Sequence, residues 1–174
     1  MNNYSWTVQF ESLFNKAAEQ YRGGNRVLEN YFNTSELDFL GSIGSTAQEL
    51  YDFAEDFANG GDPDYGTVLL VTAVRRDYFI HKLKGKTAGP VVPTSSLRAK
   101  TDEVDGIVWL PRIIQKARLK LEGRMDKDLM YGCGGDRRFL RESNIHLADF
   151  LRFVWSAGDD DQKVIEFVKK SRKG

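Results

Sequence analysis

A glycine-rich segment between Tyr131 and Arg138 holds the residues best suited to binding or chemistry in this chain of 174 residues. Several glycines in a row allow backbone N–H groups to point in one direction, and neighbouring arginines add donors that suit phosphate or carboxylate. Asp136 is a suitable N-cap for a following helix, whose N-terminal end carries partial positive charge. The candidate anion-binding residues are Tyr131, Gly132, Cys133, Gly134, Gly135, Arg137 and Arg138. The segment therefore predicts a small-anion site, and the other interpretation of the same composition is a tight turn between two helices.

Catalysis at this segment is an alternative hypothesis. Cys133 is the only cysteine, and a thiol beside a helix N-terminus and arginines can act as a nucleophile. A nucleophile also needs a base, and His146, the only histidine in this half, is better explained as the cap of the next helix. We therefore predict no catalytic residue, and the alternative is an enzyme acting on a phosphorylated or carboxylated small molecule. Two histidines and one cysteine, far apart in sequence, predict no metal site and no cofactor.

Composition places the chain among globular proteins of a reducing compartment. Apolar residues make up 41% and charged residues 29% of the chain, as in ordinary folded domains. The longest apolar run, Val68–Val71, is far shorter than the ~20 residues of a membrane span, and the start Met1–Trp6 does not resemble a secretory signal. A single cysteine excludes internal disulfides. We expect a cytoplasmic protein that does not enter a membrane.

Charge is unevenly distributed along the chain. Residues 1–65 carry eleven acidic and three basic side chains, whereas residues 66–100 carry seven basic and one acidic side chain. The basic segment 75–100 could contact nucleic-acid phosphates. Attraction between oppositely charged halves is the simpler explanation. We therefore expect a small anion or a protein as the partner, and not a nucleic acid.

An internal repeat organises the chain. A shift of one hundred residues aligns eight identical residues, which lie mainly at apolar and glycine positions. They are Val8, Lys16, Ala17, Gly23, Tyr31, Phe39, Leu40 and Phe53, aligned with Val108, Lys116, Ala117, Gly123, Tyr131, Phe139, Leu140 and Phe153. The pattern predicts an all-α protein of two tandem four-helix units that pack as one compact body.

The repeat also predicts the domain boundaries. The first unit is expected at 1–84 and the second at 106–174, with an extended linker at 85–105 that is rich in proline, serine and threonine. The β-branched stretch 66–74 falls on the fourth helix of the first unit, so no β-sheet is expected. The aligned phenylalanines at positions 39, 53, 139 and 153 are expected in the two cores.

Three stretches of the C-terminal half are distinctive, and an acidic start to the last predicted helix follows them. They are Gly106–Arg112, Lys116–Arg118 and Met130–Leu140, with the last helix at Asp159–Val168. With these stretches, the segment from about Leu97 to the end resembles a bacterial family of domains of unknown function, the one numbered 5069. The resemblance implies a small helical domain and supplies no activity. The first unit lacks the matching stretches, since Phe32–Ser35 replaces the glycine segment, so we expect the second unit to carry the site.

Overall fold

The computed structural model describes residues 3–173, and the chain divides into two compact units, Met1–Gly85 and Lys86–Gly174. The first two residues and Gly174, which belong to the predicted domains 1–84 and 106–174, lie outside the described residues. Eight α-helices account for most of the described chain, in agreement with the predicted all-α class. None of these helices is long and apolar enough to cross a bilayer.

The first unit contains four α-helices, followed by one π-helical turn. They are α1 Trp6–Arg22, α2 Thr34–Ser42, α3 Ala47–Gly60 and α4 Tyr65–Asp77, with the π-turn at Tyr78–Lys82. Residues 66–74 lie in α4, as predicted, because Val68, Val71 and Val74 fall on one buried face of the helix. At the start of α3, Thr46 and Glu49 form a capping box, in which each side chain bonds to the other residue's backbone N–H.

The second unit contains four α-helices and one short hairpin. They are β1 Glu103–Val104, β2 Ile107–Val108, α5 Leu110–Glu122, α6 Gly134–Glu142, α7 Leu147–Ala157 and α8 Asp161–Ser171. The prediction that no β-sheet forms was wrong for this hairpin. Asp105 and Gly106 both adopt positive φ (51° and 72°) between the paired strands, and Asp-Gly is a strong signal for a two-residue hairpin turn.

The segment predicted as a linker, 85–105, lies against the second unit. The backbone N–H of Ala88 donates to the Glu122 carbonyl (3.2 Å), and that of Val92 donates to the Arg124 carbonyl (2.9 Å). Further along, the backbone N–H of Arg98 donates to the Gln115 side chain on α5 at 2.8 Å. The segment includes a 3-10 turn at Thr94–Ser96, and these bonds attach it to α5 and the residues that follow α5.

The cores contain most of the aligned phenylalanines. Phe39, Phe53 and Phe139 are buried, as predicted. Phe153 is only half-buried, so the prediction of a buried ring was wrong there. Its ring stacks on that of Phe167, another half-buried side chain, with 4.0 Å between centroids. The pair lies at the margin of the α7–α8 contact, which leaves part of each ring in solvent.

Asp52 on α3 gives the first unit a predicted pH dependence. Burial, together with the neighbouring Glu55 and Glu49, raises the pKa of Asp52 from 3.8 to about 6, against the opposing hydrogen bond from Gln48. The folded state therefore binds this proton more tightly than the unfolded state, and stability is lost as pH rises from 3.8 through about 6. Asp52→Asn should raise the free energy of unfolding by about 1–3 kcal/mol at pH 7.5 and leave it nearly unchanged at pH 4.

Urea unfolding at the two pH values measures this effect. Asp38→Asn is the matched control, because it removes the same charge from an exposed position on α2. An equal gain in both variants at pH 7.5 would attribute the effect to net charge rather than to the burial of Asp52.

Candidate functional site

A buried ion pair lies beneath the glycine-rich segment. Lys116 on α5 pairs with Asp136 on α6, and their side chains are 2% and 0% exposed. Lys116 follows Ile113 by one helical turn and precedes Ala117, so its stem lies on the face that α5 buries. Removing two charges from water is costly. Their mutual attraction offsets that cost only when the ion pair has good geometry and the remaining donors and acceptors are hydrogen-bonded.

The carboxylate of Asp136 meets that requirement. Besides Lys116, it accepts hydrogen bonds from the Trp109 indole N–H and the Gly132 backbone N–H, each at 2.9 Å. Trp109 adopts the left-handed conformation (φ 75°) immediately before α5, which is uncommon for a bulky residue. Asp136 thus joins the start of α5, the body of α5 and the loop before α6.

Two of the glycines in the segment have internal structural roles. Gly132 adopts a positive φ of 89°, a conformation that costs glycine little. Gly135 lies under the Trp109 indole, and a Cβ at this position would come within 2.6 Å of the ring. Gly134 has neither constraint, because it is exposed and a Cβ there would reach no atom closer than 3.9 Å. The exposed Gly134 therefore leaves the first residue of α6 open to an approaching group.

The start of α6 lacks a side-chain cap. The helix begins at Gly134 with Cys133 as its N-cap, so the prediction of Asp136 as N-cap was wrong. Asp136 instead occupies the first turn and turns inward, because Lys116 and Trp109 hold it in the core. Cys133 makes no capping hydrogen bond, so its side chain satisfies none of the N–H groups of the first turn, which have no partner within the helix.

Cys133 lies between the buried ion pair and solvent. Its side chain is half-buried, and the Lys116 ammonium donates to its sulfur at 3.3 Å. An ammonium has three N–H donors. Within residues 3–173, only Asp136 and Cys133 accept from Lys116. One of the three ammonium N–H donors therefore has no acceptor among the described residues.

The remaining predicted site residues divide between interior and surface. Tyr131 is buried, and its hydroxyl donates to the Leu147 carbonyl at 2.8 Å. Burial, and secondly the Asp136 carboxylate, raises the pKa of Tyr131 well above its usual range. Arg137 donates to the Gly132 carbonyl at 2.6 Å, which ties the helix to the preceding loop. Arg138 is exposed. The surface therefore presents Cys133, Gly134 and Arg138, with Arg137 partly accessible behind them.

The first unit has an ion pair at the equivalent positions. Lys16 on α1 pairs with Glu36 on α2 at 2.7 Å, one hundred residues before Lys116 and Asp136. These side chains are 38% and 18% exposed. Burial raises the pKa of the Glu36 carboxyl, but the hydrogen bonds from Lys16 and the Asn33 backbone outweigh it and leave the pKa lowered. Descent of the two units from one ancestor stays a prediction.

Sequence reasoning identified the loop but missed Trp109 and Lys116 as members of the site. Lys116 had a usable signal, because a lysine at an apolar helical spacing recurs at position 16, and acids recur at positions 36 and 136. Trp109 had none, since its role depends on a left-handed backbone that the sequence pattern does not reveal.

The basic segment 75–100 contributes less positive surface than its composition indicates. Arg75 is only 2% exposed. The neighbouring Arg76 has a side chain that is 11% exposed, with its guanidinium over the Trp6 ring. Two of the seven bases therefore cannot reach a phosphate backbone without rearrangement.

The second unit is thus a small four-helix domain with a charged, hydrogen-bonded loop at the start of its second helix. Residues 94–174 match the model of a family described as Domain of unknown function (DUF5069). This match confirms the resemblance predicted from the C-terminal stretches, and it covers the part of the chain that holds the loop. No curated protein and no solved structure matches the chain significantly.

Proposed function

We propose that the second unit is a non-enzymatic binding module that takes a small oxyanion, such as phosphate or a carboxylate, at the loop 131–138. The observation that carries the proposal is the uncapped start of α6, where Cys133 leaves the first-turn N–H groups without a side-chain acceptor. A helix N-terminus in this state favours an anion through both its N–H groups and its dipole.

The local charge supports an anion rather than a cation. Lys116 contacts Cys133 and Arg137 contacts Gly132, while Arg138 follows on α6; the loop 131–138 contributes one carboxylate, Asp136. That carboxylate faces the core and already accepts hydrogen bonds from Lys116, Trp109 and the Gly132 backbone. An incoming oxyanion would therefore meet N–H donors and a net positive potential.

Arg138 offers the cleanest test of this proposal. Arg138→Ala should weaken phosphate binding by roughly 5–10-fold, since a charge-assisted contact contributes about 1–1.5 kcal/mol. Thermal stability should barely change, because the side chain is exposed. Isothermal titration calorimetry with inorganic phosphate provides the measurement. Arg137→Ala is less suitable, because Arg137 also holds the Gly132 carbonyl.

Arg141→Ala is the matched control for this test. Arg141 is exposed on the last turn of α6, so the variant removes the same charge away from the uncapped end. Equal losses of phosphate affinity in both variants would attribute the effect to net charge alone. Unchanged affinity in Arg138→Ala would refute the assigned site.

The first unit suggests a second test, in which the start of α6 is given a side-chain cap. At the equivalent position Asn33 caps α2, accepting from the Glu36 N–H at 3.0 Å. Its capping box is complete, which supports the view that the first unit is a diverged copy without an anion site. Cys133→Asn should place the same cap on α6, and the capped N–H groups would no longer be available to phosphate. We expect phosphate binding to fall at least fivefold while stability is maintained.

One observation favours the enzyme alternative, namely the contact of the Lys116 ammonium with the Cys133 sulfur at 3.3 Å. Such a contact can support thiol chemistry on a bound phosphorylated or carboxylated molecule. Cys133→Ala separates the two functions. Phosphate affinity should stay within about twofold in either case, so the readout that distinguishes them is turnover of a phosphorylated or carboxylated substrate by the parent and its loss in Cys133→Ala.

A further inference from the structure

A cavity in the second unit is lined by residues that all lie outside the loop 131–138. It has a volume of about 690 Å³ and lies between α5, α8 and the segment that precedes α5. Its apolar lining comes from Val104, Pro111, Ile114, Leu119 and Ile165. This volume falls within the range of small-molecule sites, which combine an apolar lining with a few polar groups.

Several charged groups at the rim already have partners. Arg118 donates to the Gly158 carbonyl at 3.0 Å and pairs with Asp161 at 2.6 Å. Glu122 pairs with Arg124 at 3.0 Å. Because these side chains are already paired, they define the wall of the cavity rather than its binding chemistry.

Two charged groups at the rim have no such partner. Within residues 3–173, the guanidinium of Arg98 and the carboxylate of Glu103 make no hydrogen bond or ion pair, although both side chains line the cavity. A third group, Asp102, uses one carboxylate oxygen to accept from the Ala99 N–H at 3.1 Å. The rim thus offers one cation and two carboxylates around an apolar floor.

The backbone holds these groups in place. The Arg98 N–H donates to Gln115 at 2.8 Å, and its carbonyl accepts from Arg112 at 2.5 Å, which fixes this residue against α5. The Asp102 N–H donates to the Ala99 carbonyl, so a tight turn brings Arg98 and Glu103 to its two sides. Opposite charges are therefore presented from one hydrogen-bonded turn and line the same cavity as the apolar residues.

We propose that this cavity binds a free α-amino acid with an apolar side chain. The ligand carboxylate meets Arg98, the ligand ammonium meets Glu103 and Asp102, and the apolar side chain lies on Ile114, Leu119 and Ile165. An amine alone would leave Arg98 unmatched, and a carboxylate alone would leave the two acids unmatched. This proposal does not depend on the anion site, which lies on α6.

The test compares three probes that share one branched alkyl chain. Calorimetry or ligand-observed NMR on the full chain should show L-leucine binding about tenfold or more tightly than isopentylamine, which lacks the carboxylate, and 4-methylpentanoate, which lacks the amine. Arg98→Gln should reduce leucine binding to the level of isopentylamine. Glu103→Gln should weaken leucine and isopentylamine but not 4-methylpentanoate.

Lys100→Gln is the matched control, because Lys100 is an exposed base on the same turn that does not line the cavity. It should leave leucine binding unchanged, and thermal unfolding should show all three variants folded. Failure of leucine to bind, equal affinity for leucine and isopentylamine, or equal losses in Arg98→Gln and Lys100→Gln would overturn the proposal. None of these results would bear on phosphate binding at α6.

Discussion

Lys116→Met should lower the free energy of unfolding by about 3–5 kcal/mol, because it leaves the fully buried carboxylate of Asp136 without its cation. Asp136 is 0% exposed, so water cannot replace the ammonium without opening the core. Methionine has nearly the length of the lysine stem, so the loss of packing is small. Urea unfolding of the variant and the parent at pH 7 measures the difference.

The first unit provides a control at the equivalent position. Lys16→Met removes the cation of a pair whose side chains are 38% and 18% exposed, and exposed pairs contribute only about 0–1 kcal/mol. A double variant of the second unit, Lys116→Met with Asp136→Asn, should recover much of the loss. Asparagine removes the unpaired charge and keeps an acceptor for the Trp109 indole. Similar losses of unfolding free energy in Lys116→Met and Lys16→Met would show that burial does not determine how much each ion pair contributes to stability.

Gly135→Ala should cost about 2–4 kcal/mol, because the new Cβ would overlap the Trp109 ring at 2.6 Å. The indole would have to move outward and would lose its hydrogen bond to the buried Asp136 carboxylate. The unfolding midpoint and the near-ultraviolet circular dichroism of tryptophan should both change. Gly135 and Trp109 are therefore expected to behave as one packed unit.

Gly134→Ala is the neighbouring control. Its Cβ would contact nothing closer than 3.9 Å, and alanine is a better helix residue than glycine by about 0.5–1 kcal/mol. This variant should be as stable as the parent or slightly more so. If Gly135→Ala behaved in the same way, the close approach of the indole to α6 would be wrong.

The sequence by itself was sufficient for the class of fold and most helix positions. Apolar residues recur at helical spacing in α4 and α5, and Thr46 and Glu49 stand at the spacing of a capping box at the start of α3. These features are local, because spacing and capping depend on residues within one or two turns of each other. The sequence also located the candidate loop, since three glycines and two arginines within eight residues are visible without a fold.

Only the tertiary structure decided what these loop residues do. Asp136 is predicted as an N-cap from its neighbours in sequence, yet Lys116 and Trp109, from twenty and twenty-seven residues away, turn it into the core. Cys133 therefore occupies the N-cap position, and its side chain makes no hydrogen bond to the first-turn N–H groups. Side-chain burial depends on contacts between helices, and a single sequence does not contain their distances. The same reason explains why a buried Lys116 and a half-buried Lys16 could share one pattern.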